Sequence, residues 1–262
     1  MRRSGVTIVE LVVVLGIVVV LLALGTSVTV SVRREARAMM CSSNLKQIAA
    51  ATEGYRNQNN SWLPAALLYH VDNSELVTAA WDFSQTNSGE VTPSKLWSFA
   101  NGPSEVHQCP EYAGPSTFGE DPFTGYNYNT TYLGSEGRLP WLDSSGKLVE
   151  GWDAARIGMP PALHRAPDRC ALYADAGWRG GANKFMRAPS NQVEYDLALV
   201  YAGGQAFRHR GCCNVVHLDG HCSRYKAPFE GVHAQGWLLE EIMNFPFNGF
   251  LSETDSAYDP SQ

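Results

Sequence analysis

The chain has 262 residues, 44% of them hydrophobic and 18% charged, which is material for a buried core over one or two domains and excludes a largely disordered chain. The formal charge is −6, but five arginines (Arg2, Arg3, Arg33, Arg34, Arg37) set against Glu10 and Glu35 leave +3 on residues 1–40 and therefore −9 on the remainder. An acidic body repels phosphate backbones, so no nucleic acid is expected as a partner.

From Leu11 to Val32 there are 22 residues without a formal charge, dominated by Val and Leu. As a helix they reach roughly 33 Å, the length of a bilayer core. The hydrophobic part of a secretory signal peptide runs only about 7 to 15 residues, and no A-x-A-like site follows here. Arginines flank both ends and do not orient the segment. The cysteines supply an orientation: Cys41, Cys109, Cys170, Cys212, Cys213 and Cys222 all follow the apolar run, and no C-x-x-C pair offers a zinc motif. The expectation is a single-pass protein of the inner (cytoplasmic) membrane, with a short cytoplasmic N-terminus and an extracytoplasmic or periplasmic head.

A carboxylate at the edge of an apolar helix is costly unless it is interfacial or has a partner. Glu10 occupies that position, in Arg2-Arg3-Ser4-Gly5-Val6-Thr7-Ile8-Val9-Glu10-Leu11. This run resembles the prepilin leader of type IV pilins and type II secretion pseudopilins, where a short basic leader ends in Gly and Glu is the fifth mature residue. Val6 and Val9 depart from the family's usual Phe or Met and Leu or Ile. The resemblance implies a leader at residues 1–5, removed after Gly5 by a prepilin peptidase that also methylates Val6. It further implies that Glu10 pairs with the N-terminal ammonium of a neighbouring subunit, so that opposite charges fix axial register.

Beyond Arg33, the residues Ala38, Cys41, Leu45, Ile48, Thr52 and Tyr55 recur at steps of three and four, one stripe of a helix. Arg34, Arg37, Lys46, Glu53 and Arg56 fall off the stripe, and Asn57 to Ser61 is a stop signal. The stripe lasts under three heptads, so packing against a head is favoured over a coiled coil. The predicted organisation is a transmembrane helix at 6–32, its amphipathic continuation at 33–60, and one head domain at 61–262. The fold class expected is α+β and pilin-like: a long N-terminal helix, half transmembrane and half amphipathic, packed on an antiparallel β-sheet head.

In the head, Cys170–Ala174, Leu197–Tyr201 and Asn214–Leu218 read as strands, Gly125–Asn129 as a strand or tyrosine-rich loop, and Gly236–Asn244 as a helix. His209, followed after nine residues by Asp219-Gly220, looks like the H-x9-D-G element (209–220) of prepilin-type processing-associated proteins. That group's Cys-x-x-Asn-Leu-Lys-Gln appears as Cys41 to Gln47, and its Cys-Pro as Cys109-Pro110. The same resemblance suggests a Cys41 to Cys109 disulfide, against the alternative of two buried thiols.

Asp219-Gly220 reads as a two-residue type I′ hairpin turn. In that register His217 and His221 project from opposite faces and cannot share an ion. A site using His209 with residues elsewhere stays open, but no metal and no catalytic residue is assigned. Acids such as Asp175, Glu194 and Asp196 show no pairing pattern, and G-x-S-x-G, P-loop and H-E-x-x-H are absent. No cofactor is expected. Calcium, held in a head loop by major pseudopilins, would have only the oxygen-rich tail Glu253–Asp259, which lacks the EF-hand pattern and reads as solvated.

The function expected is structural and not enzymatic. The resemblance makes the chain a pilin-like or pseudopilin subunit that moves from the membrane into a type II secretion or type IV pilus-like filament, with prepilin peptidase, other subunits and an assembly platform as partners. The alternative is a membrane-anchored extracytoplasmic enzyme or carbohydrate-binding module.

Overall fold

A computed structural model describes residues 5–72, 75–100, 108–112, 114, 125–153, 155–191, 203–232 and 234–262. Residues 1–4 of the expected leader and the strand expected at Leu197–Tyr201 lie outside them.

Helix α1 runs unbroken from Ile8 to Gln58, 51 residues. Its start is a capping box: the Glu10 N–H donates to Thr7 Oγ1, and the Thr7 N–H and hydroxyl donate to Glu10 Oε2 at 2.8 Å each. It stops where Asn60 and Ser61 take φ of +51° and +66°, with Asn59 Nδ2 donating back to Tyr55 O. Ala38, Cys41, Leu45, Ile48 and Thr52 are buried and Tyr55 half-buried, so the three-and-four stripe is the face that meets the head. From Gly5 to Ala23 every side chain is exposed.

Two parts of the expected fold are corrected. Among the described residues no helix is long and apolar enough to cross a membrane. The transmembrane helix expected at 6–32 is corrected to the exposed start of one helix that continues to Gln58. Nor is the head an antiparallel sheet; it holds two five-stranded mixed sheets.

In the first sheet, β1 (Leu67–Asp72), β2 (Glu75–Ala80), β3 (Phe83–Thr86) and β4 (Val91–Pro93) form an antiparallel meander. The second contains β5 (Tyr126–Asn129). After β5, the chain returns to lay β6 (Glu136–Gly137) parallel to β1, then forms the small pair β7 (Trp141–Leu142) and β8 (Leu148–Val149). The second sheet continues with β9 (Ala171–Asp175), antiparallel to β5, and β10 (Phe185–Met186), parallel to β5. Beyond the short β11 (Gln205–Ala206), β12 (Cys213–His217) joins β9, and β13 (Cys222–Tyr225) closes the edge. Finally β14 (Asn248–Gly249) pairs with β11.

The second sheet is covered on both faces, which is why β5, β9 and β12 are buried along their whole length. On one face α1 packs Leu45 and Ile48 with Tyr128, Tyr173 and Val216, and Thr52 Oγ1 meets Tyr173 Oη at 2.9 Å. On the other, Ala174, Cys213 and Val215 meet Leu238, Met243, Phe250 and Tyr258. The helix expected at Gly236–Asn244 is a single α turn, Gly236–Leu238, that widens into a π turn, Leu239–Met243.

The tail is therefore a cover and not a solvated strip, a second correction. Asp255 and Asp259 are buried, and their oxygens are taken by protein donors: Tyr132 Oη and Ser190 for Asp255, Ser261 and Gln262 for Asp259.

Candidate functional site

Four side chains from four separate segments converge under α1. Cys41 comes from the buried stripe of the helix. Cys109 sits on the turn closed by the Tyr112 N–H to its carbonyl, and Gly125 lies against it with φ +101°; a Cβ there would come within 2.9 Å of Cys109 Cβ, so the close approach requires glycine. Asp175 ends β9. His209 opens a two-residue turn in which His209 and Cys212 exchange backbone hydrogen bonds while Arg210 and Gly211 take φ of +57° and +77°. That is the type I′ signature, nine residues before the place where the sequence suggested it.

The separations are short. Cys41 Sγ is 3.3 Å from Cys109 Sγ and 2.8 Å from Asp175 Oδ1; Cys109 Sγ is 3.5 Å from His209 Nε2; His209 Nε2 is 3.2 Å from Asp175 Oδ2. All four donor atoms lie within 4.8 Å of one another, and all four residues are buried: a Cys/Cys/Asp/His cluster with the donor types and spacing to hold a metal ion. Around it, Glu111 Oε2 stands 2.7 Å from His209 Nδ1, the Asn214 N–H donates to Asp175 Oδ2 at 2.7 Å, and Arg224 Nη2 donates to the His209 carbonyl. The half-buried Arg208 donates to the Ala176 carbonyl and lies over the Tyr112 ring.

The electrostatics follow from that packing. Burial, reinforced by Cys109 and Asp175, pushes the Cys41 thiol well above its ordinary range. The hydrogen bond from Cys41 outweighs burial at Cys109 and, with His209, brings its thiol down to about 6. Burial opposes charge on His209, yet Asp175 and Cys109 together raise it to about 10. The packing thus favours charge on the Cys109 and His209 pair and keeps the Cys41 thiol protonated. Cys109 beside His209 has the makings of a nucleophile, but at 1% exposure its sulfur is out of reach of a substrate carbonyl.

Cys41 and Cys109, the pair suggested for a disulfide, are brought together, and all six cysteines are free thiols. His209, from the H-x9-D-G element, joins them, while Asp219 and Gly220 do not. These two form the hairpin end, where Asp219 Oδ1 accepts from the His221 N–H and stands 2.6 Å from its Nδ1, and Gly220 takes φ +87°. The hairpin departs from the expected turn by one residue: Val216 pairs with Cys222, and three residues, Leu218 to Gly220, make the loop. A one-residue slip reverses every side chain. His217 and His221 consequently share a face, their rings stacked at 4.2 Å and 3° apart, with His217 Nε2 engaged by Ser223 Oγ.

Gly5, Val6 and Glu10 lie at the far, exposed end of α1. Sequence reasoning missed Asp175, Glu111 and Arg208 as members of the cluster. An acid closing the otherwise apolar run Ala171–Asp175 was the one available signal for Asp175. No family model, curated protein or solved structure matches the chain.

Proposed function

We propose that the chain is a pilin-like structural subunit of a type II secretion or type IV pilus-like filament, entering assembly after cleavage behind Gly5 and methylation of Val6. The observation that carries this reading is the N-terminal third of α1. It leaves the head with every side chain from Gly5 to Ala23 exposed, nearly all of them apolar, and Glu10 is its one acid. A continuous apolar surface of this size marks an interaction site. The occupant is the equivalent helix of other subunits, which buries Val and Leu side chains against their like. The docked half of α1 holds the acidic head at the filament surface.

The capping box gives Glu10 a task within its own chain, so the two roles need separating. Glu10→Gln keeps the cap, because glutamine serves at that position, but removes the charge. Glu10→Ala removes both. The expected result is that both variants fail to co-assemble with wild-type subunits, while helix content of the isolated chain falls only in Glu10→Ala. Normal assembly of Glu10→Gln would show that no charge pairing sets the register.

A further inference from the structure

We infer that Cys41, Cys109, Asp175 and His209 form a closed tetrahedral site for a thiophilic divalent cation, Zn2+ by donor set, that clips α1 to the head. This goes beyond the assembly role and does not depend on it. An ideal tetrahedron with bonds of about 2.3 Å to sulfur and about 2.0 to 2.1 Å to nitrogen or oxygen has ligand edges of roughly 3.3 to 3.8 Å. Of the six ligand edges, all within 4.8 Å, three are 3.3 Å between the sulfurs, 3.5 Å from Cys109 to His209 and 3.2 Å from His209 to Asp175. The fourth, 2.8 Å from Cys41 to Asp175, is the thiol hydrogen bond that an ion would replace.

The surroundings are those of a metal centre. Glu111 Oε2 lies at ion-pair distance, 2.7 Å, from the far nitrogen of His209, which places an acidic side chain behind the ring, and the Asn214 N–H donates to Asp175 Oδ2 at 2.7 Å. Two thiolates and a carboxylate around a 2+ ion leave one negative charge, and the half-buried Arg208 beside them balances it. As the ion binds, both sulfurs must be thiolates and the imidazole neutral, so the protons these groups carry leave to solvent. Four protein ligands leave no open position, so the site is structural. Thiolate donors select Zn2+ over Mg2+ or Ca2+. The ion ties the helix, the Cys109 turn, β9 and the His209 turn at one point.

The test uses the full chain, purified under a thiol-free reductant and stripped with a chelator. Zn2+ and Co2+ are then added separately. The proposal expects one ion per chain, Co2+ absorption with thiolate charge-transfer and tetrahedral d–d bands, and displacement of Co2+ by Zn2+. Alkylation, followed as a rate at a urea concentration that opens the metal-free cluster, gives a readout independent of any variant: Zn2+ should slow the labelling of the buried Cys41 and Cys109 and leave that of half-exposed Cys212 unchanged. Glu111→Gln, a positioning change, should weaken binding by about 10 to 100-fold while keeping the tetrahedral spectrum. Three results would overturn the site: octahedral Co2+ bands, equal labelling of Cys41 and Cys109 with and without Zn2+, or a Cys41 to Cys109 disulfide in protein isolated with its thiols trapped and no reductant added.

Discussion

Cys41 on α1 and Cys109, 68 residues later, meet sulfur to sulfur at 3.3 Å beneath the helix, with the His209 ring 3.5 Å beyond. Three stretches that the sequence marked separately thus end at one buried point, where the helix is fastened to the second sheet. The docked half of α1 should accordingly be the costly half to alter. Ile48, wholly buried against the sheet, should lose about 2 to 5 kcal/mol as Ile48→Ala. Val12→Ala, on the exposed half, should stay within about 0.5 kcal/mol in the isolated subunit. Urea unfolding of the two variants checks this, and equal losses would contradict the packing described.

Lys184 and Asp82 form a fully buried ion pair between the two sheets, with the ammonium also 4.4 Å from the Phe83 ring centre. Burial pushes the lysine down to about 8, against the pull of Asp82, and raises the Asp82 carboxyl against the pull of Lys184. Removing one partner strands the other charge, so Lys184→Met should cost about 3 to 5 kcal/mol. Adding Asp82→Leu should recover much of that loss. A double-mutant cycle in denaturant measures it; simple additivity of the two losses would mean that the charges are not coupled.

Acid should weaken the hairpin before it weakens the rest. Burial, and then the neighbouring His221, push the His217 imidazole down to about 4, with Asp219, Asp168 and the Arg169 carbonyl opposing. Ser223 Oγ and the Tyr225 ring complete its surroundings. Folded His217 is therefore neutral where the unfolded chain, near 6.5, takes up a proton. The stability it contributes is intact above about pH 6.5 and is lost as pH falls toward 4, about 2 kcal/mol of it by pH 5. Comparing urea midpoints of wild type and His217→Gln at pH 7 and pH 5 should show a smaller acid loss in the variant. An identical loss would place the titration elsewhere.

The C-terminal cover is testable at Tyr258, whose hydroxyl accepts from the Leu251 N–H at 2.8 Å and donates to Gln205 Oε1 at 2.7 Å. Tyr258→Phe leaves both groups buried and unpaired and should cost about 1 to 3 kcal/mol. A tail lying free in solvent would show no change in the unfolding midpoint.

How much of this was legible in the sequence depended on the range of the interaction. The stripe from Ala38 to Tyr55 could be read because a helix repeats its burial every three or four residues, and β9 and β12 because short apolar runs ended at turn residues, whereas β5, with Tyr and Asn alternating, read equally as a strand or a loop. The hairpin loop at Leu218–Gly220 differed by one residue because Asp-Gly serves both two- and three-residue loops, and the choice rests on pairing to Cys222. The acidic tail misled because its charge suggested solvent, whereas Tyr132 and Ser190, far away in the chain, supply its donors. Asp175 had only the weak signal of an acid closing an apolar run; the antiparallel pairing of β9 with β5 and β12 carries it beneath Cys41. The parallel strands β6 and β10 are likewise set by long returns of the chain, which periodicity does not record.

The measurement that bears most directly on the proposed role is the N-terminal peptide and intact mass of the native protein, taken from cells that contain the prepilin peptidase. The account predicts a chain beginning at methylated Val6, with Thr7 and Glu10 left to cap the helix behind it. A chain that keeps Met1 to Gly5, or one cut within the docked half of α1, would contradict it, and the exposed apolar helix would then need another occupant.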